Sequence, residues 1–541
     1  MQSTSSHALL KVFTANGIDR VFLVPGESYL GILDALIDFP EIDVVTCRHE
    51  GGAGFMGVAD GRLTGRPGVA MVSRGPGATN ASIAVHTAQQ DAIPLILLIG
   101  QIPKRDLRRE AFQEIDYQKM FGSIAKWVAE PTEPAQLAEI AFKAIRLATS
   151  GTPGPVVIVI PEDIQQQAAP VHEWRAPRQM AAMPSGEILD ELQARLAEAR
   201  RPLIIAGGRF DVPGGREALR EFAERLHIPV ALSFRRHDVF DNEHPLYVGD
   251  LGLANAKDQM DMFRQSDLIL ALGTRMGDIT SQGYTFPALP VPEQTFVHCY
   301  PDDHIVGLHF TPEYPLVCDP VALVKQLTPA TSGVPCAERS AWVKKLHDFA
   351  VAHAQWPDIS AEDGIPFVTV VQAIQKHATA NTTICVDAGT FAAPVYRHFP
   401  FKYPQRLMAP LSGAMGYGTP AAVATQLRNP GDKVICMVGD GGFLMTGSEM
   451  IAAVERKLPI LFILSHNRSY ASIRIHQERE YGGRHCGTTL FNPDFMAMAQ
   501  AFGMESIRIS SVDEVEPAIR NAMAATGPLF IEVMTSLECV L

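Results

Sequence analysis

Residues 433–467 read KVICMVGDGGFLMTGSEMIAAVERKLPILFILSHN, and this stretch decides the fold. A continuous apolar run, 434–438, ends in Gly439-Asp440-Gly441. A helical stretch follows, with apolar residues at helical spacing through Met450, Ile451, Val454 and Leu458. A second apolar run, 460–464, ends at Ser465-His466-Asn467. Two such runs joined by a helical spacer make a βαβ unit whose parallel strands lie side by side. Asp440 and Asn467 then sit at strand carboxyl ends, where open α/β sheets bind ligands. A carboxylate beside an amide oxygen suits a hard cation such as Mg²⁺, which keeps few protein ligands and completes its octahedron with phosphate and water. Gly439, Gly441 and Gly442 leave backbone amides open to a polyanion. Taken alone, Gly-Asp-Gly reads equally well as an ordinary turn between strand and helix.

The same pattern extends along the chain. Apolar runs at 21–24, 44–46, 69–72, 95–99 and 156–160 alternate with helical patterns, which means a parallel sheet covered on both faces. A polar, proline-containing linker, 165–184, follows. Runs at 202–208, 268–273 and 295–298 repeat the theme, and a second linker spans 328–335. The expected architecture is α/β: three doubly wound parallel-sheet domains, at residues 1–170, 185–330 and 342–541. No sequence repeat is visible between the first and the third.

At 541 residues the chain is long enough for several domains, each with its own core. Its net charge of −13 comes without a basic run, which argues against nucleic acid or anionic membranes as partners. None of the eight cysteines forms a Cys-x-x-Cys pair, so neither a zinc cluster nor a redox motif is expected. Cys47, Cys385 and Cys436 fall in apolar runs and read as core residues. The opening MQSTSSHALLKVF lacks the basic flank and apolar centre of a signal peptide, and no apolar run approaches a membrane span. A cytoplasmic protein is the expectation.

Three further blocks carry the functional reading. Residues 48–80 are RHEGGAGFMGVADGRLTGRPGVAMVSRGPGATN; residues 409–422 are APLSGAMGYGTPAA; residues 386–391 are VDAGTF. With Gly-Asp-Gly and Asn467, in this order and spacing, the chain resembles the thiamine diphosphate enzymes of the acetolactate synthase, pyruvate oxidase and benzoylformate decarboxylase superfamily. It is most similar to acetolactate synthase large subunits, over nearly its whole length. The resemblance implies an aminopyrimidine-binding first domain, a central domain and a diphosphate-binding third domain. It implies that Asp440, Asn467 and the carbonyl of Ser469 hold Mg²⁺, and that Gly389, Thr390, Gly441 and Gly442 border the diphosphate. It gives Met415 the place beneath the bent cofactor and offers the Gly413 carbonyl to its 4′-amino group. Glu50 is then the acid that exchanges a proton with N1′ of the aminopyrimidine, a task that suits a glutamate in a dry site. Taken alone, Glu50 reads as a helix N-terminal acid, Met415 as a core residue and Phe112 as core packing.

The chain also departs from the family pattern. His466 stands where the first Asn of an Asn-Asn pair is usual, and Phe391 replaces a His common in acetolactate synthases. In the central domain, FVHCYPDD carries Tyr300 in place of the first Asp of a ribose-binding Asp-x-Asp and keeps Asp302. That domain binds flavin adenine dinucleotide, ADP or nothing in relatives, and all three stay open. On the substrate side, Phe112 and Gln113 resemble the family's Phe-Gln-Glu near the thiazolium. His86 and Gln90 lie one helical turn apart, and His86 reads either as a proton-transfer group or as a solvated or core histidine. His476 stands where acetolactate synthases place a Trp; with Ala471, Ser472 and Ile475 it is expected to face the pocket for the second substrate. The implied activity is decarboxylation of a small, pyruvate-like 2-oxoacid followed by ligation to a second carbonyl, in a homodimer or homotetramer with shared sites. Simple decarboxylation, lyase cleavage, diketone hydrolysis, flavin-linked oxidation and a non-catalytic cofactor-binding relative are the alternatives.

Overall fold

The computed structural model describes residues 3–177, 180–253, 255–330 and 336–540. Parts of both expected linkers, 178–179 and 331–335, lie outside the described residues. The first sheet holds β1 (Arg20–Leu23), β2 (Asp43–Thr46), β3 (Gly68–Val72), β4 (Leu95–Gln101), β5 (Trp127–Ala129) and β6 (Pro155–Pro161), in the order β2-β1-β3-β4-β6-β5. The second holds β7 (Pro202–Ala206), β8 (Val230–Ser233), β9 (Tyr247–Leu251), β10 (Leu268–Leu272), β11 (Thr295–Tyr300) and β12 (Tyr314–Val317), in the order β12-β11-β10-β7-β8-β9. The third holds β13 (Thr382–Val386), β14 (Arg406–Met408), β15 (Lys433–Gly439), β16 (Leu461–His466), β17 (Glu505–Ile509) and β18 (Leu529–Met534), in the order β14-β13-β15-β16-β18-β17.

The α/β expectation holds: all three are parallel sheets flanked by helices. The first and third share one relative strand order, although no repeat shows in the sequence. The second has the order of dinucleotide-binding folds. Strands β3, β4 and β6 are buried at every residue, which is why their sequences run continuously apolar.

Two compact units result. One is built from residues 1–178, 359–393 and 408–541 and carries the first sheet and most of the third; the other, 179–358 and 394–407, carries the second. In the second unit, helix Ala337–His353, which the sequence reading gave partly to the third domain, buries Trp342 in the core. The Trp342 indole donates to the Pro202 carbonyl at 2.9 Å. No helix among the described residues is long and apolar enough to cross a membrane.

In the first unit, helix Glu50–Thr64 and helix Gly418–Arg428 pack into one shared core. Phe55 meets Tyr417 edge to face, with ring centroids 5.7 Å apart. Arg428 closes the contact through Asp60, Nη2 to Oδ1 at 2.7 Å. Helix Glu50–Thr64 is rich in glycine because its neighbours come too close for side chains. A Cβ on Gly54 would lie 2.4 Å from Cβ of Ala84, and one on Gly52 would lie 2.7 Å from Cγ of Glu449.

The helical stretch after Gly-Asp-Gly is not continuous. Helix Asp440–Thr446 gives way to a 3₁₀ turn, Gly447–Glu449, before helix Met450–Glu455 resumes. The Thr446 hydroxyl bonds the Gly416 carbonyl at 2.5 Å, and Gly447 sits against the Phe443 ring.

Candidate functional site

Strands β13 and β15 are neighbours at the point where the order of the third sheet reverses, and a crevice forms there outside the strand ends. It is a cavity of about 220 Å³. Gly389 and Thr390 line it from the turn after β13, and Asp440, Gly441 and Gly442 from the turn after β15. Asn467 and Ser469 follow the end of β16, and Gly413 and Met415 come from the loop between β14 and helix Gly418–Arg428. Residues picked from four separate stretches of sequence thus share one wall.

Asp440 opens helix Asp440–Thr446 and is almost fully buried. Its Oδ1 accepts the Gly441 N–H at 2.9 Å, and its Oδ2 accepts the Arg468 N–H at 2.7 Å and the Asn492 amide at 2.8 Å. Burial pushes its carboxyl above the usual aspartate range, against the pull of these donors. Asn467 Oδ1 accepts the Ser469 N–H at 3.1 Å, and the Ser469 hydroxyl donates to the Thr488 carbonyl at 3.0 Å. A buried carboxylate and an amide oxygen on a wall of glycine are the donor chemistry that Mg²⁺ and a diphosphate require. Two of its glycines leave no room for a side chain: a Cβ on Gly441 would lie 2.3 Å from the Tyr470 ring, and one on Gly442 would lie 2.5 Å from Asp387 Oδ2. The residues present fit the implied group. No cluster of three His, Cys, Asp or Glu suited to a metal occurs among the described residues.

The loop carrying Gly413 and Met415 is tied down by two buried aspartates that the sequence reading did not single out. Asp91 accepts the N–H groups of Leu411 and Ser412 at 2.9 and 3.0 Å. Asp387 accepts those of Gly416, Tyr417 and Ala388 at 3.0, 3.2 and 2.8 Å. Burial pushes Asp387 up to about 6. Asp387→Asn replaces one acceptor oxygen by an amide that cannot accept, so a buried N–H loses its partner. The expected cost is about 1–3 kcal/mol, read as a lower midpoint in urea unfolding at neutral pH.

The two departures near the cavity have structural roles. Phe391 is buried edge-on against Phe367, with centroids 5.9 Å apart, and backs Gly439 and Gly389. His466 is buried with Nδ1 at 2.6 Å from Glu532 Oε1, and Arg508 Nε reaches the other carboxylate oxygen at 2.7 Å. Burial pushes Glu532 up, but His466 and Arg508 outweigh it and hold the carboxyl below its usual range.

The remaining candidates lie apart from this cavity. Glu50 is the first residue of its helix, half-buried, with Oε2 accepting the Asn80 amide at 2.9 Å. Gln113 takes a left-handed conformation, φ 64°, and packs beneath Gly75 in the same neighbourhood. Phe112 is 78 % exposed, and His86 is exposed on helix Pro76–Asp91. None of these four lines the 220 Å³ cavity. Helix Ala471–Tyr481 touches the cavity with its first turn only, through Ala471, Ser472 and Ile473. Ile475 and His476 lie beyond that turn and do not line it. His476 is exposed and 3.2 Å from Glu480 one turn on.

Family models of thiamine pyrophosphate enzymes match residues 3–120 (N-terminal TPP binding domain), 189–327 (central domain) and 387–533 (C-terminal TPP binding domain). The acetolactate synthase isozyme 1 large subunit of Escherichia coli (strain K12) is 30% identical over 540 residues, 99% of this chain and 94% of that protein. A probable acetolactate synthase large subunit of Methanocaldococcus jannaschii is 28% identical over 543 residues, 98% and 91% of the two chains. Among solved structures, the Rhodococcus jostii RHA1 thiamine diphosphate-dependent 4-hydroxybenzoylformate decarboxylase superposes with a TM-score of 0.86 at 22% identity, covering 99% of both chains. That last likeness is one of fold.

Proposed function

The chain belongs to the thiamine pyrophosphate enzymes, and from that premise we propose that it decarboxylates a small, pyruvate-like 2-oxoacid with Mg²⁺ and joins the remaining unit to a second carbonyl. The observation that carries this reading is the convergence of Gly389, Thr390, Gly413, Met415, Asp440, Gly441, Gly442, Asn467 and Ser469 on one cavity. Bound thiamine diphosphate supplies the electron sink that loss of CO₂ from a 2-oxoacid needs. The protein's own contribution is binding, orientation and proton handling. Asp440 and Asn467, with the Ser469 carbonyl, hold the metal. The glycine walls admit the diphosphate, and Met415 and Gly413 set the orientation of the pyrimidine.

Glu50 holds and returns a proton at pyrimidine N1′. Because Glu50 does not line the cavity of its own chain, the reading places it against the cavity of a second copy, in a homodimer or a homotetramer. Sedimentation of the 58.9 kDa chain checks this: a stable monomer at working concentration contradicts shared sites. A flavin or ADP in the central domain plays no part in the proposed chemistry, and the visible spectrum and mass of extracted cofactor decide whether either is present.

Ala471 and Ser472 line the cavity with small side chains, and His476, at the family's Trp position, leaves no large apolar ring there. A wider wall changes which second carbonyl reaches the reacting carbon. The expected result is that the enzyme, given pyruvate and an aliphatic aldehyde at equal concentration, makes mixed products rather than acetolactate alone. Gas chromatography of the products is the measurement. Overwhelming acetolactate returns the chain to strict acetolactate synthases; free aldehyde alone points to simple decarboxylation.

A further inference from the structure

We propose that Glu449 is the positioning residue for Glu50: from the 3₁₀ turn behind the Gly-Asp-Gly helix, it holds the backbone from which Glu50 is presented. The inference rests on the reading of Glu50 as the proton partner of the aminopyrimidine.

Glu449 is fully buried. Its Oε1 accepts the His49 N–H at 2.8 Å and the Arg48 N–H at 3.0 Å, and its Oε2 lies 3.2 Å from the same Arg48 N–H. These are the two residues before Glu50, at the point where the chain leaves β2 and enters helix Glu50–Thr64. N–H groups at a helix entrance have no partner within the helix and must find one elsewhere. Here part of the demand is met locally, since His49 Nδ1 accepts the Gly51 N–H at 3.0 Å. The two amides immediately before Glu50 are left to a side chain some four hundred residues away in sequence.

The contact is built from both sides. A Cβ on Gly52 would lie 2.7 Å from Glu449 Cγ and Oε1, so a glycine at that position makes room for the carboxyl. The Arg48 guanidinium turns away, donating to the Thr46 carbonyl at 2.9 Å, so the carboxyl's hydrogen-bond partners here are backbone amides rather than a charged head group. A buried acid held in this way is costly as mere packing, because an ionised carboxylate away from water demands strong compensation. Burial pushes Glu449 up to about 7, the Arg48 and His49 amides and the Arg48 charge pull it down, and Glu50 facing it pushes it up again. The nearby Cys47 thiol is itself raised by burial and by Glu449, and the His49 ring stands on the same turn. Hydrogen bonds to the charged form are the stronger ones, so the hold on the turn tightens as the pH rises through neutrality.

Three variants test the idea. Glu449→Ala removes the acceptor, and Glu449→Gln keeps an oxygen that can accept both N–H groups. Gly52→Ala pushes the intact carboxyl away while improving the intrinsic helix propensity of its position. In the full chain without cofactor, amide hydrogen exchange at Arg48 and His49 is expected to accelerate in Glu449→Ala and to return towards wild type in Glu449→Gln. With cofactor bound, proton exchange at the thiazolium C2 is expected to slow by about 10²-fold in Glu449→Ala, the cost of a small misplacement, with cofactor affinity unchanged and partial rescue by Gln.

Wild-type C2 exchange in Glu449→Ala, alongside slowed exchange in Glu50→Gln, overturns the proposal. Wild-type exchange in Glu50→Gln instead overturns the role of Glu50, and the amide exchange then still decides whether Glu449 holds the turn. Should Glu449→Ala not fold, Gly52→Ala decides: the proposal requires slowed C2 exchange in a folded protein, and a wild-type rate overturns it.

Discussion

Asp440→Ala is expected to lower the affinity for thiamine diphosphate in the presence of Mg²⁺ by about 10²-fold or more, since even outer-shell changes at metal sites cost about 10–100-fold. On the proposed reading the ion would hold the diphosphate, and Asp440 would be its charged oxygen donor from the cavity wall. The same substitution also frees the Arg468 N–H and the Asn492 amide, both of which Oδ2 now accepts. Some of the loss could therefore come from a disordered turn rather than from a missing ligand. Asp440→Asn separates the two: it keeps one acceptor oxygen and the shape but removes the charge. If the metal is the reason for Asp440, the Asn variant loses most of the affinity too, while circular dichroism and melting stay near wild type. Titration calorimetry with both components gives the answer, and unchanged binding in either variant removes Asp440 from the metal site.

What the sequence displayed of this fold depended on how completely each strand is buried. Strands with both faces covered, such as β4 and β15, appear as unbroken apolar runs. Edge and short strands did not stand out: β5 is three residues and mostly half-buried, β12 alternates buried and exposed residues, and β17 is largely open. Their membership depends on neighbours far away in sequence, which no local pattern encodes. The cavity was legible for a related reason. A polyanion against backbone demands glycine at strand ends, and glycine at fixed places between apolar runs is visible in a sequence.

The acids behind that wall were less legible. Asp387 lay inside a quoted block but passed as part of a loop; its three backbone partners appear only in three dimensions. Glu449 left one trace, an acid inside an otherwise apolar helical stretch nine residues after Asp440, and its partners are some four hundred residues away. His476 went the other way. Helical spacing placed it on the face of Ala471 and Ser472, but the helix leads away from the cavity after its first turn, so a shared face did not mean a shared pocket.

Glu50→Gln is the sharper test of chemistry, because it leaves the architecture almost untouched. The glutamine oxygen can still accept the Asn80 amide that Glu50 Oε2 accepts at 2.9 Å, and the backbone contacts of the preceding turn do not involve the side chain of residue 50. What disappears is the ability to hold and return a proton at pyrimidine N1′. General acid–base contributions of this kind are worth about 10²–10⁴-fold, and that loss is expected in C2 proton exchange followed by proton NMR in D₂O, with cofactor affinity near wild type. Reading exchange instead of turnover matters, since turnover also depends on an acceptor whose identity the product competition has yet to fix. A wild-type exchange rate in the variant would mean that activation at C2 does not pass through residue 50. Absence of exchange in the wild-type protein, with the cofactor bound, would instead favour a non-catalytic cofactor-binding relative. The retained glutamate argues against that outcome: at the entrance of a glycine-rich helix, an acid whose side chain bonds only Asn80 among the described residues has its clearest use in moving a proton.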